Sequence, residues 1–288
     1  MKLLVVFCMN SLVSVIIPVY NRSVELVRAV RSVVSQSYTN LEILIIDDGS
    51  DKPVRDIVSC FDDSRIIILE NKKNMGVSFS RNVGINYSKG DYIALLDSDD
   101  EWFSDKIARQ LDYFISHPVR IVHTEEIWVR NGVRVNQGKR HKKEAGDIFI
   151  RSLDLCLISP SSVIMHRSIF DEFGFFREDL PVCEDYDLWL RITAQEKVGF
   201  IEEPLIYKYG GHDDQLSRKF HSMDKYRVLS MIGVLKSSIL NDEKRSALIA
   251  TIQGKCSILI NGATKREKFD EVDFYLDLLN EVNGFSGI

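Results

Sequence analysis

Cysteine is sparse and shows no pairing pattern: Cys8, Cys60, Cys156, Cys183 and Cys256 are odd in number and form no C-x-x-C. Such spacing excludes a disulfide framework or a cysteine zinc site and suits a reducing compartment. No G-x-G-x-x-G follows the first apolar run, which disfavours a dinucleotide-binding dehydrogenase. No G-x-x-x-x-G-K-[ST] occurs either, which disfavours a P-loop enzyme. No apolar stretch reaches the roughly 18 residues of a membrane span. Basic charge is not in excess, since 37 Lys and Arg face 42 Asp and Glu for a net charge of -5. That balance argues against a general nucleic-acid binder. Met1–Met9 holds a lysine and an apolar stretch, but no small-x-small cleavage site separates it from the next apolar run. A short extension, with Met9 as an alternative start, is therefore favoured over a signal peptide, and a cytoplasmic protein is expected.

What is present has the composition of a globular chain, with 288 residues, 45% hydrophobic and 27% charged. That length allows one large or two small domains. Leu12–Ile17, Leu41–Ile46, Arg65–Leu69 and Asp91–Leu96 read as strands, the first stopped by Pro18. Helical spacing fills Ser23–Ser37, Asp51–Phe61 and Val77–Ser88. Continuous apolar strands alternating with helices predict an α/β fold, a parallel sheet covered on both faces. Right-handed crossovers would bring Pro18–Asn21, Asp47–Ser50 and Asp97–Asp100 to one edge. Beyond a helix over Trp102–His117, Ile121–Val129 and Val133–Val135 flank Asn131-Gly132 as a hairpin. Ser162–Met165 is a strand, Glu184–Ala194 a helix, and Val198–Tyr207 a strand pair broken near Pro204. Three amphipathic helices follow, near Met223–Leu240, Glu243–Leu259 and Arg266–Glu281. The pattern divides the chain into 1–215, with halves 12–100 and 101–215, and a helical extension over 216–288.

Asp97-Ser98-Asp99-Asp100 ends a buried strand in three carboxylates, which repel one another unless a cation or strong donors balance them. In an open α/β sheet, ligands bind beyond the carboxyl ends of the strands. Aspartate oxygens suit Mg²⁺ or Mn²⁺ carrying substrate phosphates. The alternative is an N-cap for the helix from Trp102, and a calcium loop is disfavoured because the EF-hand glycine and glutamate are missing. Asp48 stands at a strand-to-helix turn, where a carboxylate can accept from an imide N–H or a ribose hydroxyl. Gly76 and Arg81 offer a permissive glycine and a cation near an anionic ligand, although Arg81 equally suits a surface ion pair. Glu184 and Asp185 open a predicted helix, as a base for an acceptor hydroxyl or as a cap. Gly210-Gly-His212 is glycine-rich, and His212 is a ligand candidate beside Asp99 or an ordinary surface histidine. Lys139–Lys143 reads as a solvated basic tip, with contact to an anionic acceptor as the sharper option.

Taken in order, Ser14–Arg22, Ile45–Ser50, Asn74-x-Gly76 with Arg81-Asn82, Asp97–Asp100 and Glu184–Trp189 resemble the motif series of the family 2 glycosyltransferases. The resemblance covers roughly Leu12 to Ser217. It implies the GT-A fold and an inverting, metal-dependent transfer from a nucleotide-diphosphate sugar, most plausibly a UDP-sugar. The acceptor would be a glycan or lipid-linked hydroxyl in bacterial surface polysaccharide synthesis. By the same resemblance Pro18, Tyr20 and Asp48 line the nucleobase pocket, and Asn21 and Arg81 are candidates for binding the same donor. Asp97, followed by Ser98, holds the ribose. Asp99 binds Mn²⁺ or Mg²⁺ with His212 as a further ligand, Asp185 is the base and Glu184 orients the acceptor. Two stretches depart from the family pattern: Ser104 stands for a proline, and Phe173–Phe176 for Gly-Gly-Phe-Asp. A sugar-1-phosphate nucleotidyltransferase and an inactive nucleotide-sugar-binding paralogue are the rival readings. Arg218–Lys268 holds eleven Lys or Arg against four Asp or Glu, a basic surface suited to an anionic membrane, to the catalytic domain or to a second subunit in a homodimer.

Overall fold

The first apolar runs pair as parallel strands because both of their faces are covered. In the computed structural model, which describes residues 10–211, 222–237 and 240–285, every residue of β1 (Val13–Val19) and β2 (Leu41–Asp47) is buried. Between them, α1 (Val24–Val34) buries Leu26, Ala29, Val30 and Val33, the three-and-four spacing of one helix face. The next elements are α2 (Val54–Val58), β3 (Ile66–Glu70), α3 (Val77–Tyr87) and β4 (Tyr92–Leu95). β3, β2, β1 and β4 lie side by side and parallel. Their carboxyl ends therefore share one edge. β1 continues through Pro18 instead of stopping there. Its last partner on β4 is Ile16 opposite Leu95, so Pro18 sits where that side of the strand is already open and its missing N–H costs no ladder bond.

The later strands add a mixed half. β5 (Glu101–Trp102), α4 (Lys106–Ser116), β6 (Ile121–Arg130), β7 (Val133–Val135), β8 (Ile164–His166) and β9 (Gly199–Gly210) complete the sheet. Its order is β3-β2-β1-β4-β8-β6-β9-β5, with β7 on β6. β8 runs antiparallel to β4 and β6, while β9 is parallel to β6. The expected hairpin forms: Asn131 (φ 49°) and Gly132 (φ 75°) are both left-handed, as a two-residue primed turn requires. Two expectations are corrected. Trp102 lies in a strand rather than a helix, because its amide donates to Ser32 Oγ and its indole to the Ser161 carbonyl, at 3.1 and 2.8 Å. The expected strand pair over Val198–Tyr207 is one strand from Gly199 onward, since a register slip around Glu125 absorbs Pro204 without breaking it.

The described residues up to Gly146, with Leu157–Glu178 and those from Lys197 to 211, form one compact unit that contains the whole sheet and the helix α6 (Ser168–Phe173). The second unit comprises Asp147–Cys156, Asp179–Glu196 and the described residues from 222 onward. The division is thus not a single cut near residue 215. The second unit holds α5 (Phe149–Ser152), α7 (Glu184–Thr193), α8 (Met223–Ser237), α9 (Asp242–Lys265) and α10 (Phe269–Gly284). Its core packs Phe149, Tyr186 and Leu190 against Met231, Leu235, Ile252 and Cys256. Several cations of the basic stretch are engaged inside this unit. Lys244 reaches Asp147 at 2.9 Å, Lys255 and Arg227 both reach Asp224 at 2.9 Å, and Lys236 pairs with Glu281. No described helix is long and apolar enough to cross a membrane.

Candidate active site

At the carboxyl edge of β1 and β2 the backbone is tied by side chains. Asn21 adopts φ 52°; its Oδ1 accepts from the Asp51 amide at 2.9 Å and its Nδ2 donates to Asp51 Oδ2 at 3.1 Å. Pro18 is buried at the end of β1, whereas Tyr20 is 45% exposed at the same edge. Asp48 is buried and both its oxygens are used: Oδ1 accepts from Asn71 Nδ2 and the Met75 amide at 2.8 and 2.9 Å, and Oδ2 from the Gly76 amide at 2.8 Å. Asp48 therefore shapes the 71–76 loop. Gly49 (φ 77°) lets that loop close in, for a Cβ there would stand 2.6 Å from the Lys73 carbonyl carbon. Gly76 (φ 95°) turns the loop into α3.

The acid turn follows β4. Asp97 Oδ1 accepts from Arg81 Nη2 at 2.7 Å, and Arg81, only 3% exposed, lies over the Phe176 ring. Arg81 is thus not a surface ion pair. Ser98 is buried between Asp97 and Asp99. Asp99 Oδ2 stands 3.4 Å from Arg22 Nη1, and the Asp99 carbonyl accepts from Arg28 at 2.5 Å. Asp100 accepts from Ser161 Oγ at 2.6 Å and from the Tyr209 amide at 2.9 Å. The cap alternative fails, because α4 starts only at Lys106 and its Ile107 amide donates to Gln36 Oε1 at 3.1 Å.

Burial weighs on the carboxyls of this turn more than their partners offset. Burial, and next the charge of Asp97, raises the Asp99 carboxyl above its ordinary value; burial, and next Asp99, drives Asp100 well above. A carboxyl raised by folding stabilises the native state fully at low pH, and that contribution is lost as pH rises through its native value. Asp99→Asn removes the charge at every pH. Without added metal the variant should be more stable than the parent by about 1 kcal/mol at pH 7, and the difference should shrink as pH falls through the raised native value and be gone below about pH 4. Denaturant midpoints across pH check this, and a pH-independent difference would refute it.

The second acidic pair lies in the other unit. Cys183, left-handed at φ 64°, precedes α7 and no side chain caps that helix, so neither Glu184 nor Asp185 acts as its N-cap. Glu184 is buried, whereas Asp185 is half-buried. Asp185 Oδ2 lies 3.6 Å from the Cys156 thiol and Oδ1 accepts from the Tyr186 amide at 2.7 Å.

The Glycosyl transferase family 2 profile matches residues 14–174, more than half of the chain. The chain belongs to glycosyltransferase family 2. A curated family relative, the Escherichia coli UDP-Glc:alpha-D-GlcNAc-diphosphoundecaprenol beta-1,3-glucosyltransferase WfgD, is 30% identical over 76% of this chain and 82% of that protein. An uncharacterized glycosyltransferase of Rickettsia felis is 35% identical over 80% of this chain, yet the match spans only 37% of the Rickettsia protein. Among solved structures, S. aureus TarS 1-349 in complex with UDP-GlcNAc superposes with a TM-score of 0.74 at 19% identity, over 94% of this chain and 80% of that one. The fold is the GT-A fold.

Within this family 2 chain, the sheet edge gathers Pro18, Tyr20, Asn21, Asp48, Arg81 and Asp97–Asp99 in one unit, with Glu184 and Asp185 in the second. His212 lies outside the described residues. Among the described residues no three His, Cys, Asp or Glu side chains converge on a metal position. The donor chemistry nevertheless fits a hard cation: aspartate oxygens of one turn whose carboxyls are raised by burial and next by one another's charge. Residue reading missed Ser161, whose Oγ both accepts from the Asp97 amide at 3.1 Å and donates to Asp100. No sequence signal marks it, as Ser159-Pro-Ser-Ser162 resembles any turn.

Proposed function

We propose that the chain is a metal-dependent, inverting glycosyltransferase that moves a sugar from a UDP-sugar to a hydroxyl of a lipid-linked or surface glycan. The observation that supports this most directly is the under-compensated acid turn at the carboxyl edge of the parallel strands, beside Arg81 and the Asp48-held loop. In this reading Pro18, Tyr20 and the 71–76 loop frame the nucleobase, Asp97 meets the ribose, and Asp99 with His212 holds Mg²⁺ or Mn²⁺. Such a cation, when bound, would neutralise charge developing on the leaving diphosphate. Asp185 takes the proton of the acceptor hydroxyl while Glu184 orients it. The UDP-Glc and diphosphoundecaprenol in the name of WfgD, and the UDP-GlcNAc bound by TarS, support the donor and acceptor classes. A lipid-linked acceptor would place the chain at the inner face of the cell membrane.

A donor-hydrolysis screen over UDP-, GDP-, dTDP- and CMP-sugars, with Mg²⁺, Mn²⁺ or chelator, tests the reading. UDP-sugars are expected to turn over only with metal. A flat response to every donor would overturn the assignment.

A further inference from the structure

Beneath the β6–β7 hairpin lies a cavity of about 510 Å³, lined by Glu125 to Trp128, Arg134 to Lys139, Lys142 and Pro204. It lies wholly within the sheet-bearing unit. Its two carboxylates are occupied by donors of the chain itself. Glu126 accepts from Lys143 Nζ at 2.7 Å, Ser159 Oγ at 2.5 Å and Trp128 Nε1 at 2.6 Å. Glu125 Oε1 accepts from Gln137 Nε2 at 3.0 Å and the Glu126 amide at 2.9 Å. Arg134, Lys139 and Lys142 are exposed on its walls. The cavity thus combines an indole, an amide and, in Arg134 and Lys139, a cationic rim, a set suited to a sugar ring attached to phosphate.

The cavity connects to the acid turn by two short paths. Ser159, which holds Glu126, leads into the turn that carries Ser161, the partner of Asp97 and Asp100. Along β9, Lys208 pairs in register with Trp128, and the next residue, Tyr209, gives its amide to Asp100.

We infer that this cavity is an acceptor subsite for a phosphorylated sugar, with Trp128 against the ring and Arg134 and Lys139 on the phosphate. The inference rests on the transferase reading and assigns that enzyme's acceptor class. Calorimetry with N-acetylglucosamine 1-phosphate, free N-acetylglucosamine and inorganic phosphate tests it on the intact chain. Arg134→Ala/Lys139→Ala is expected to weaken the sugar phosphate at least about tenfold, and Trp128→Ala to weaken the sugar phosphate but not inorganic phosphate. Unchanged thermal melting shows that the rim variant is folded. Parent-like binding of the sugar phosphate by both variants would overturn the subsite. A kinetic arm compares the soluble sugar phosphate with a prenyl-diphosphate sugar in micelles. A higher KM in the rim variant for whichever of the two is the acceptor is expected, and an unchanged KM for both would overturn the proposal. An inert donor screen leaves the calorimetric result standing, so failure of the transferase reading is told apart from failure of the subsite.

Discussion

Asp185→Asn is expected to lower sugar transfer by about 10²- to 10⁴-fold, the range for loss of a general base. Asparagine keeps the size and hydrogen-bonding reach of the side chain but cannot take a proton at neutral pH. Asp185 is half-buried in the first turn of α7, where its Oδ1 meets the Tyr186 amide at 2.7 Å. The isosteric change should therefore leave the helix in place. Donor binding, assigned to the other unit, should change little, so the loss should fall on kcat and not on the donor dissociation constant. Single-turnover transfer alongside donor titration measures both. Retained transfer would remove Asp185 from the mechanism.

Lys143→Met should destabilise the sheet-bearing unit by about 3–5 kcal/mol. Lys143 and Glu126 are each 3% exposed at their side chains and meet at 2.7 Å. Burial alone would raise the glutamate, but the Lys143 charge and its hydrogen bonds more than reverse this and hold Glu126 at about 2. Methionine fills the space and leaves a carboxylate buried without its counter-charge. Adding Glu126→Gln should recover most of the loss, because the second change removes the stranded charge. A carboxyl lowered by folding stabilises the native state above its unfolded pKa and loses that contribution as pH falls through the native value. The stability due to Glu126 should therefore fade between about pH 4.5 and pH 2. Equilibrium denaturation of the two single variants and the double variant checks this. Additive losses would show that the pair is not coupled.

Part of this architecture was legible in one dimension. β1 and β2 are buried on both faces and read as unbroken apolar runs, while Asn131-Gly132 announced its turn by backbone preference alone. Other features were not legible. The basic run Lys139–Lys143 read as a solvated tip, yet Lys143 is buried, because Glu126 and the Thr124 carbonyl supply the partners that make its burial tolerable. Trp102 read as helical, but its partners Ser32 and Ser161 lie far away in the chain.

The sequence by itself determined the parallel half of the sheet, its family and the placing of the acid turn at a strand end, since each depends on residue type and near-neighbour spacing. Tertiary structure alone decided that Asp48 shapes a loop, that Ser161 braces the acid turn, and that Lys143 is buried. Each of these outcomes depends on hydrogen-bond partners brought together across long stretches of chain, and a buried polar group is settled by such partners rather than by its neighbours in sequence.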